Sequence, residues 1–303
     1  MLGAPETHSP GPITARPRDT GATGTPAECS LSLDTHTIRR VTHDLHLAQR
    51  IVAVTRDAAR LIHEHGLTVT RKSNASDLVT DVDLAIEARL REGLDSLVPG
   101  AGFLGEEGTS RPAPTLWVVD PIDGTTNLAT GSPRYAVSVA LVDRGEPVFG
   151  VILAGPEGHC TLAGLGHPDS LTPADRREPP SGAGEALASA VVSFGIPYDL
   201  AERARMLQVM ARIAPRVRDV RRTGSAALDL RDVALGVHGA HVEGTLHAWD
   251  VAAAAALLAA TGQGLSTWAG RPLDLGQAGP LQVLAGSADV TAALRELLRD
   301  ETA

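Results

Sequence analysis

The chain has 303 residues, 43% of them hydrophobic and 21% charged, and its 27 basic and 36 acidic side chains give a formal charge of −9 at pH 7. This length and composition suit one large or two ordinary globular domains and argue against wholesale disorder. The acidic balance, without any Lys/Arg run, argues against tracking along nucleic acid, and the longest small apolar run, Val251 to Ala260, falls short of the roughly 20 residues of a membrane span. Small metabolites and divalent cations are the expected partners, with no nucleic acid and no membrane. The two cysteines, Cys29 and Cys160, are too few for a disulfide framework. Lys72 is the sole lysine among the basic residues.

In chain order, residues 1–35 are rich in Pro, Gly, Thr and Ser and read as a disordered tail with no secretory signal, which makes a cytoplasmic location the default. Apolar residues at three- and four-residue steps predict a helix over Thr37 to His65, closed by Gly66, and a second over Asp83 to Leu97 before a Pro99-Gly100 turn. Strands follow at Gly102 to Leu104, Leu116 to Val119, Ala136 to Val142 and Val148 to Leu153. The stretch Ala163 to Glu185 is polar and proline-containing, and it divides an expected domain 36–183 from a second, 184–303. Beyond it the pattern alternates. A strand is expected at Leu187 to Ser193, a helix opened by Asp199 with Glu202 three residues on, and a strand near Val217 to Val220. Helices at Ser225 to Leu235, Val251 to Thr261 and Val290 to Leu298, with a strand at His238 to Val242, complete the chain. The fold class is α/β, with an α+β amino-terminal half and an α/β carboxy-terminal half.

Four acidic clusters stand out: Asp77, Asp81 and Asp83; Glu106 and Glu107; Asp120 and Asp123; and Asp250. The second and third follow apolar strands, so their carboxylates can converge at one sheet edge, where repulsion demands a counter-charge. Hard oxygen ligands without accompanying lysine or arginine specify Mg²⁺ or Mn²⁺. In Asp120-Pro121-Ile122-Asp123-Gly124-Thr125-Thr126-Asn127, Pro121 stiffens the strand exit and the Ile122 carbonyl can serve as a further ligand. A helical turn starting at Gly124 and Thr125 would add N–H donors for an anion beside the cations. That combination suits phosphate-ester hydrolysis. Plainer roles exist for single residues: Asp250 and Thr125 as caps, Asp77 and Asp81 as turn and helix-start residues, Trp117 and Trp249 as packing anchors.

Gly105-Glu106-Glu107, the run Trp117 to Asn127 and Trp249-Asp250-Val251-Ala252 resemble the signature motifs of the inositol monophosphatase family, in the same order. Lys72-Ser73 with Asp77 to Asp83 resembles its upstream motif, and Arg222 to Leu230 the motif before the last acidic residue. The resemblance runs from about Ile38 to the carboxy terminus. It implies a layered αβαβα sandwich of the sugar-phosphatase type and a Mg²⁺-dependent, lithium-sensitive phosphate monoesterase working through metal-activated water, as a homodimer. Two or three ions are implied. Glu106, Asp120 and the Ile122 carbonyl correspond to the ligands of a first ion, and Asp120, Asp123 and Asp250 to those of a second. Glu106 assists a third with Glu107 nearby. Asp83 and Thr125 correspond to the pair that orients the attacking water, and the Gly124 and Thr125 amides to the phosphate site. Asp123, Gly224, Ser225, Ala226, Glu243 and Asp250 would line the substrate pocket, with Lys72 supporting the ion site. Inositol monophosphate is the leading substrate. Histidinol phosphate, fructose 1,6-bisphosphate, 3′-phosphoadenosine 5′-phosphate and a nucleoside or aminocyclitol phosphate are the alternatives, and a non-catalytic regulatory binding protein is the reading from another class. Two departures accompany the motifs: Thr161 to Glu185 is polar where the family runs a hairpin, and Ala253 stands where Gly is common.

Overall fold

A computed structural model of the chain describes residues 44–64, 69–71, 78–167, 169–175, 177 and 186–301. The expected tail 1–35, Lys72 and Asp77 lie outside the described residues.

The first helix, α1 (Leu45–Ala59), is capped by Asp44, whose carboxylate accepts from the Leu47 N–H at 3.0 Å, and a short α2 (Leu61–Glu64) follows. The hairpin strands β1 (Val69–Arg71) and β2 (Leu78–Thr80) lead into α3 (Asp81–Asp95), which Asp81 opens. Then come β3 (Gly102–Gly105), β4 (Ser110–Arg111), β5 (Thr115–Asp123), the short α4 (Thr125–Ala129), β6 (Ala136–Asp143), β7 (Glu146–Ala154) and β8 (His159–Gly164). The remaining elements are α5 (Ala186–Ser189), β9 (Val191–Phe194), α6 (Leu200–Ile213), β10 (Asp219–Arg221), α7 (Ala226–Ala234), β11 (Ala240–Leu246), α8 (Ala248–Ala260), β12 (Gly264–Ser266), β13 (Leu281–Gly286) and α9 (Ala288–Leu298).

Strands β4-β3-β5-β6-β7-β8 form a six-stranded sheet, antiparallel except for β3 and β5, and β10-β9-β11-β13-β12 form a five-stranded sheet. Strand periodicity sorts each sheet's side chains to two faces. Phe103, Trp117, Val139 and Phe149 pack under α1 and α3, burying Ile51, Ile86 and Leu90. Val118, Ala140 and Ile152 face α7 and α8, and Val283 and Ala285 of the second sheet meet those helices from the other side. The outer face of the second sheet, with Val192, Val242 and Leu284, is covered by Met206 and Val209 of α6 and Leu294 of α9. The order is therefore helix, sheet, helix, sheet, helix: the αβαβα sandwich. Helix α8 is apolar nearly all round because sheets flank it on both sides. At Gly150 of β7 a Cβ would sit 2.2 Å from the Ala253 carbonyl oxygen, so helix and strand approach closely where Ala253 replaces the expected Gly.

Three expectations need correction. Strand β8 occupies the start of the stretch read as a polar linker, as the short outer strand of its sheet, where mixed small and polar residues leave little alternation to read. Leu187 lies in α5, since Ala186-Leu187-Ala188 favours a helical turn, and the strand begins at Val191. Among the described residues the first helix ends at Ala59 and restarts at Leu61.

Candidate active site

Asp120 and Asp123 are three apart on β5, and alternation would send them to opposite faces. The pairing with β6 prevents this: Asp120 faces Ser138 and Asp123 faces Ala136, so one residue bulges out at Pro121-Ile122 and both carboxylates emerge on the side of α8. There they meet Asp250 in the first turn of α8. One carboxylate oxygen from each of the three lies within 4.8 Å of the others. Asp123 accepts from Ser225 Oγ at 2.5 Å and from the Ala227 and Ala226 amides at 2.8 and 3.2 Å, at the start of α7. Asp250 accepts from the His247 N–H at 2.6 Å, so it caps α8 and joins the cluster at once. Glu106, just past β3, comes within hydrogen-bonding reach of Asp120.

Burial pushes the Asp120 carboxyl well above the usual carboxylate range, and Glu106, Asp123 and Asp250 push it further. Asp250 is likewise raised, by burial and then by Asp123 and Glu106. Asp123 is pushed up to about 7 by burial, against the downward pull of its Ser225, Ala227 and Ala226 donors. Among the described residues, Oδ1 of Asp120 is buried without a hydrogen-bond partner. An orphaned carboxylate oxygen amid like charges, in an all-oxygen donor set, fits a hard divalent cation.

Asp83, buried in α3, accepts from Thr125 Oγ1 at 3.2 Å, and the same hydroxyl lies 3.0 Å from the Ile122 carbonyl oxygen. Gly124 holds φ +96° as the N-cap of α4, a left-handed conformation that glycine adopts without penalty. A cavity of about 400 Å³ opens over Ile122, Gly124 and Thr125, while Asp83 is buried and does not line it. Glu106, Asp120, Asp123, Thr125, Ser225 and Glu243 are among the residues that line it, with Tyr198 and Trp249 on its walls. Ile122, Gly124, Gly224, Ala226 and Asp250 line it too. Glu107 is half-buried and does not line the cavity. Trp117 is fully buried, as a packing anchor should be, whereas Trp249 both packs on the core and lines the cavity, stacked on His247 at 4.7 Å.

Two supporting residues, Glu87 and Asn127, take roles that the sequence pattern does not assign. Glu87 is buried and accepts from the Glu107 and Thr109 amides at 2.7 and 3.2 Å, fixing the loop that carries Glu106. Its signal was an acid one helical turn after Asp83, between the apolar Ile86 and Leu90. Asn127 donates from Nδ2 to the Arg134 and Thr223 carbonyls at 2.7 and 2.9 Å, tying α4 to the Arg222–Gly224 loop. Its polar side chain in a turn offered no such signal.

The layered fold brings a carboxylate cluster to one side of a cavity, an arrangement that the phosphoric monoester hydrolases matched below share. The profile of the inositol monophosphatase family matches residues 38–301, and the chain belongs to that family. Inositol-1-monophosphatase of Mycobacterium leprae is 41% identical over 209 residues, 65% of this chain and 70% of that one. Inositol-1-monophosphatase of Rhizobium meliloti is 35% identical over 261 residues, 84% of this chain and 94% of the relative. The crystal structure of extragenic suppressor protein SuhB from Bartonella henselae superposes with a TM-score of 0.72 at 27% identity, over 84% of this chain and 98% of that one.

Proposed function

We propose that the chain hydrolyses a small polyol or cyclitol phosphate, with inositol monophosphate as the leading substrate. The observation that carries this is the convergence of Asp120, Asp123 and Asp250 in a cavity that also contains Glu243. Glu106, Asp120 and the Ile122 carbonyl would hold one Mg²⁺, and Asp120, Asp123 and Asp250 a second, with Glu106 assisting a third and Glu107 nearby. Bound there, Mg²⁺ or Mn²⁺ supplies charge neutralisation, a more acidic water and stabilisation of the leaving alkoxide.

The chain's own residues do the rest. Donation of the Thr125 proton to Asp83 leaves the hydroxyl's lone pairs free to accept from the attacking water, which holds that water in one orientation. The Gly124 and Thr125 amides, at the start of α4, donate to phosphate oxygens. Gly224, Ser225, Ala226 and Glu243 contact the leaving group, with Asp123 and Asp250 at its edge. Lys72 supports the ion site from its motif. The boundary at 183/184 divides a metal-binding part from a substrate-pocket part, and the protein works as a cytoplasmic homodimer. A small monovalent cation such as Li⁺ inhibits by competing for the carboxylates.

Release of inorganic phosphate from inositol, histidinol, fructose and adenosine phosphate esters, with Mg²⁺ and with chelator, tests the reading. Turnover of a polyol phosphate that chelation abolishes is expected. Activity indifferent to chelation would overturn the cation role, and no release from any ester would assign the protein a binding role instead.

A further inference from the structure

Behind Glu243 runs a buried polar line whose other two members, His241 and Ser193, have no part in the phosphatase chemistry. His241 of β11 stands in register with Ser193 of β9, and Glu243 follows two residues later on the same face. Ser193 Oγ lies 2.9 Å from His241 Nδ1, and His241 Nε2 lies 3.2 Å from Glu243 Oε2. Both Ser193 and His241 are fully buried, so no substrate reaches the hydroxyl and the line is no hydrolytic triad. An ionised Glu243 can only accept, so Nε2 carries a proton and, in the neutral ring, Nδ1 accepts from Ser193. Opposite the histidine, Gly195 closes the box: a Cβ there would sit 1.6 Å from Glu243 Cδ and 1.8 Å from each of its carboxylate oxygens. Beyond Glu243 the β11–β13 register shifts by one residue at Gly244-Thr245, with Thr245 at φ +66°.

We propose that His241 is a positioning residue that, with Gly195 as its backstop, locks the Glu243 carboxylate as a hydroxyl acceptor and so makes the site selective for phosphate esters of polyhydroxylated alcohols. This rests on the reading of Glu243 as a substrate contact. A free glutamate so close to Asp123 and Asp250 would swing away from them, and its field already acts on both. The histidine N–H engages Oε2 and holds the side chain in place, leaving Oε1 for a hydroxyl of the leaving group. A carboxylate pinned before substrate arrives does not have to be ordered on binding.

The test uses the full chain with Mg²⁺ and two esters, inositol 1-phosphate and p-nitrophenyl phosphate, whose leaving group has no ring hydroxyls to spare. In His241→Phe and Gly195→Ala, KM for inositol 1-phosphate should rise about tenfold with kcat changed less than about threefold, as expected for loss of one ordered hydrogen bond to a charged acceptor. The ratio of that KM to the KM for p-nitrophenyl phosphate should rise by the same factor. His241→Gln, whose amide can donate in place of Nε2, should recover most of the loss. Gly195→Ala covers the case in which the core variant fails to fold, because it leaves His241 untouched and displaces only the flexible end of Glu243. A KM that stays put in Gly195→Ala, or that rises equally for both esters in the variants, overturns the positioning role. A wild-type protein that hydrolyses p-nitrophenyl phosphate but no polyol phosphate overturns the substrate reading itself, before any variant is made.

Discussion

The buried carboxylate of Glu87 accepts the backbone N–H of Glu107 at 2.7 Å, so helix α3 sets the position of the loop that delivers Glu106 to the carboxylate cluster. Gly105 allows this approach, since a Cβ there would fall 2.3 Å from Glu87 Oε2. Glu87→Ala should leave two amides without acceptors and lower stability by about 1–3 kcal/mol. Because Glu106 then loses its fixed position, the Mg²⁺ needed for half-maximal activity should rise about tenfold or more. Thermal unfolding and a Mg²⁺ titration of initial rates check the two halves separately. A normal Mg²⁺ requirement in a folded variant would confine Glu87 to a structural role.

Asp120 is the cluster's most enclosed carboxylate, 1% exposed, and its Oδ1 has no hydrogen-bond partner among the described residues. Asp120→Asn removes one negative charge from a site where burial and like charges already disfavour it, and the new amide can donate to Glu106 or Asp250. Without metal, the variant should therefore unfold at a temperature no lower than the wild type. Its turnover should fall by on the order of 10³-fold or more if Asp120 is, as proposed, the ligand shared by two cations. Measuring both in one preparation separates the effects: a marked fall in Tm would contradict the repulsion argument, and near-normal kcat would contradict the ligand role.

The raised carboxyls give a pH dependence with a definite sign. Asp123 holds its proton up to about 7 in the folded chain against 3.8 ordinarily, and Asp120 and Asp250 shift in the same direction. Folded protein thus binds more protons than unfolded protein between those values. The stability they contribute is present at low pH and is lost as pH rises toward and past 7. Chelated protein should accordingly lose Tm between about pH 5 and pH 8 at these sites. Mg²⁺ requires deprotonated ligands, so its stabilisation should grow over the same interval, reaching about 2.7 kcal/mol at a hundredfold excess over Kd. A scan with and without Mg²⁺ across that range measures the difference directly. A larger Mg²⁺ effect at the acid end would place the cation elsewhere.

The acidic set was legible because each member sits at the end of a strongly apolar strand or the start of an apolar helix, where hydrophobic pattern and charge change within a residue or two. The convergence of Asp120 and Asp123 was not, since a strict period of two puts them on opposite faces, and only the pairing with Ser138 and Ala136 reveals the bulge that reunites them. His241 and Glu243 show the opposite case. Their spacing of two was visible, but His241 reads as an ordinary strand residue until β9 places Ser193 beside it. Strands β12 and β13 were missed for a related reason: Gly264-Leu265-Ser266 is too short to show alternation, and Leu281 to Gly286 takes its place only by pairing with β11 and β12. Local pattern locates charges and long helices, whereas contacts across a sheet depend on register, which no single segment encodes.

Asn127 makes the point at the site's rim. It is one of two asparagines in the chain, the other being Asn74, and it stands in the motif after Asp123 without a chemical role of its own. Its Nδ2 group satisfies the Arg134 and Thr223 carbonyls together, holding the start of α4 against the loop that leads to Gly224 and Ser225. Since Ser225 in turn donates to Asp123, the amide connects the turn at Gly124 and Thr125 to the carboxylate cluster. Asn127→Ala should cost about 1–3 kcal/mol through the two unsatisfied carbonyls. Asn127→Asp should cost more, because it turns a carboxylate toward both oxygens. In each variant the loosened loop should raise KM for the ester more than it lowers kcat, since Thr125 keeps its bond to Asp83. Steady-state kinetics beside thermal unfolding decide the matter, and a fall in kcat at constant KM would show that Asn127 acts on the attacking water rather than on the pocket wall.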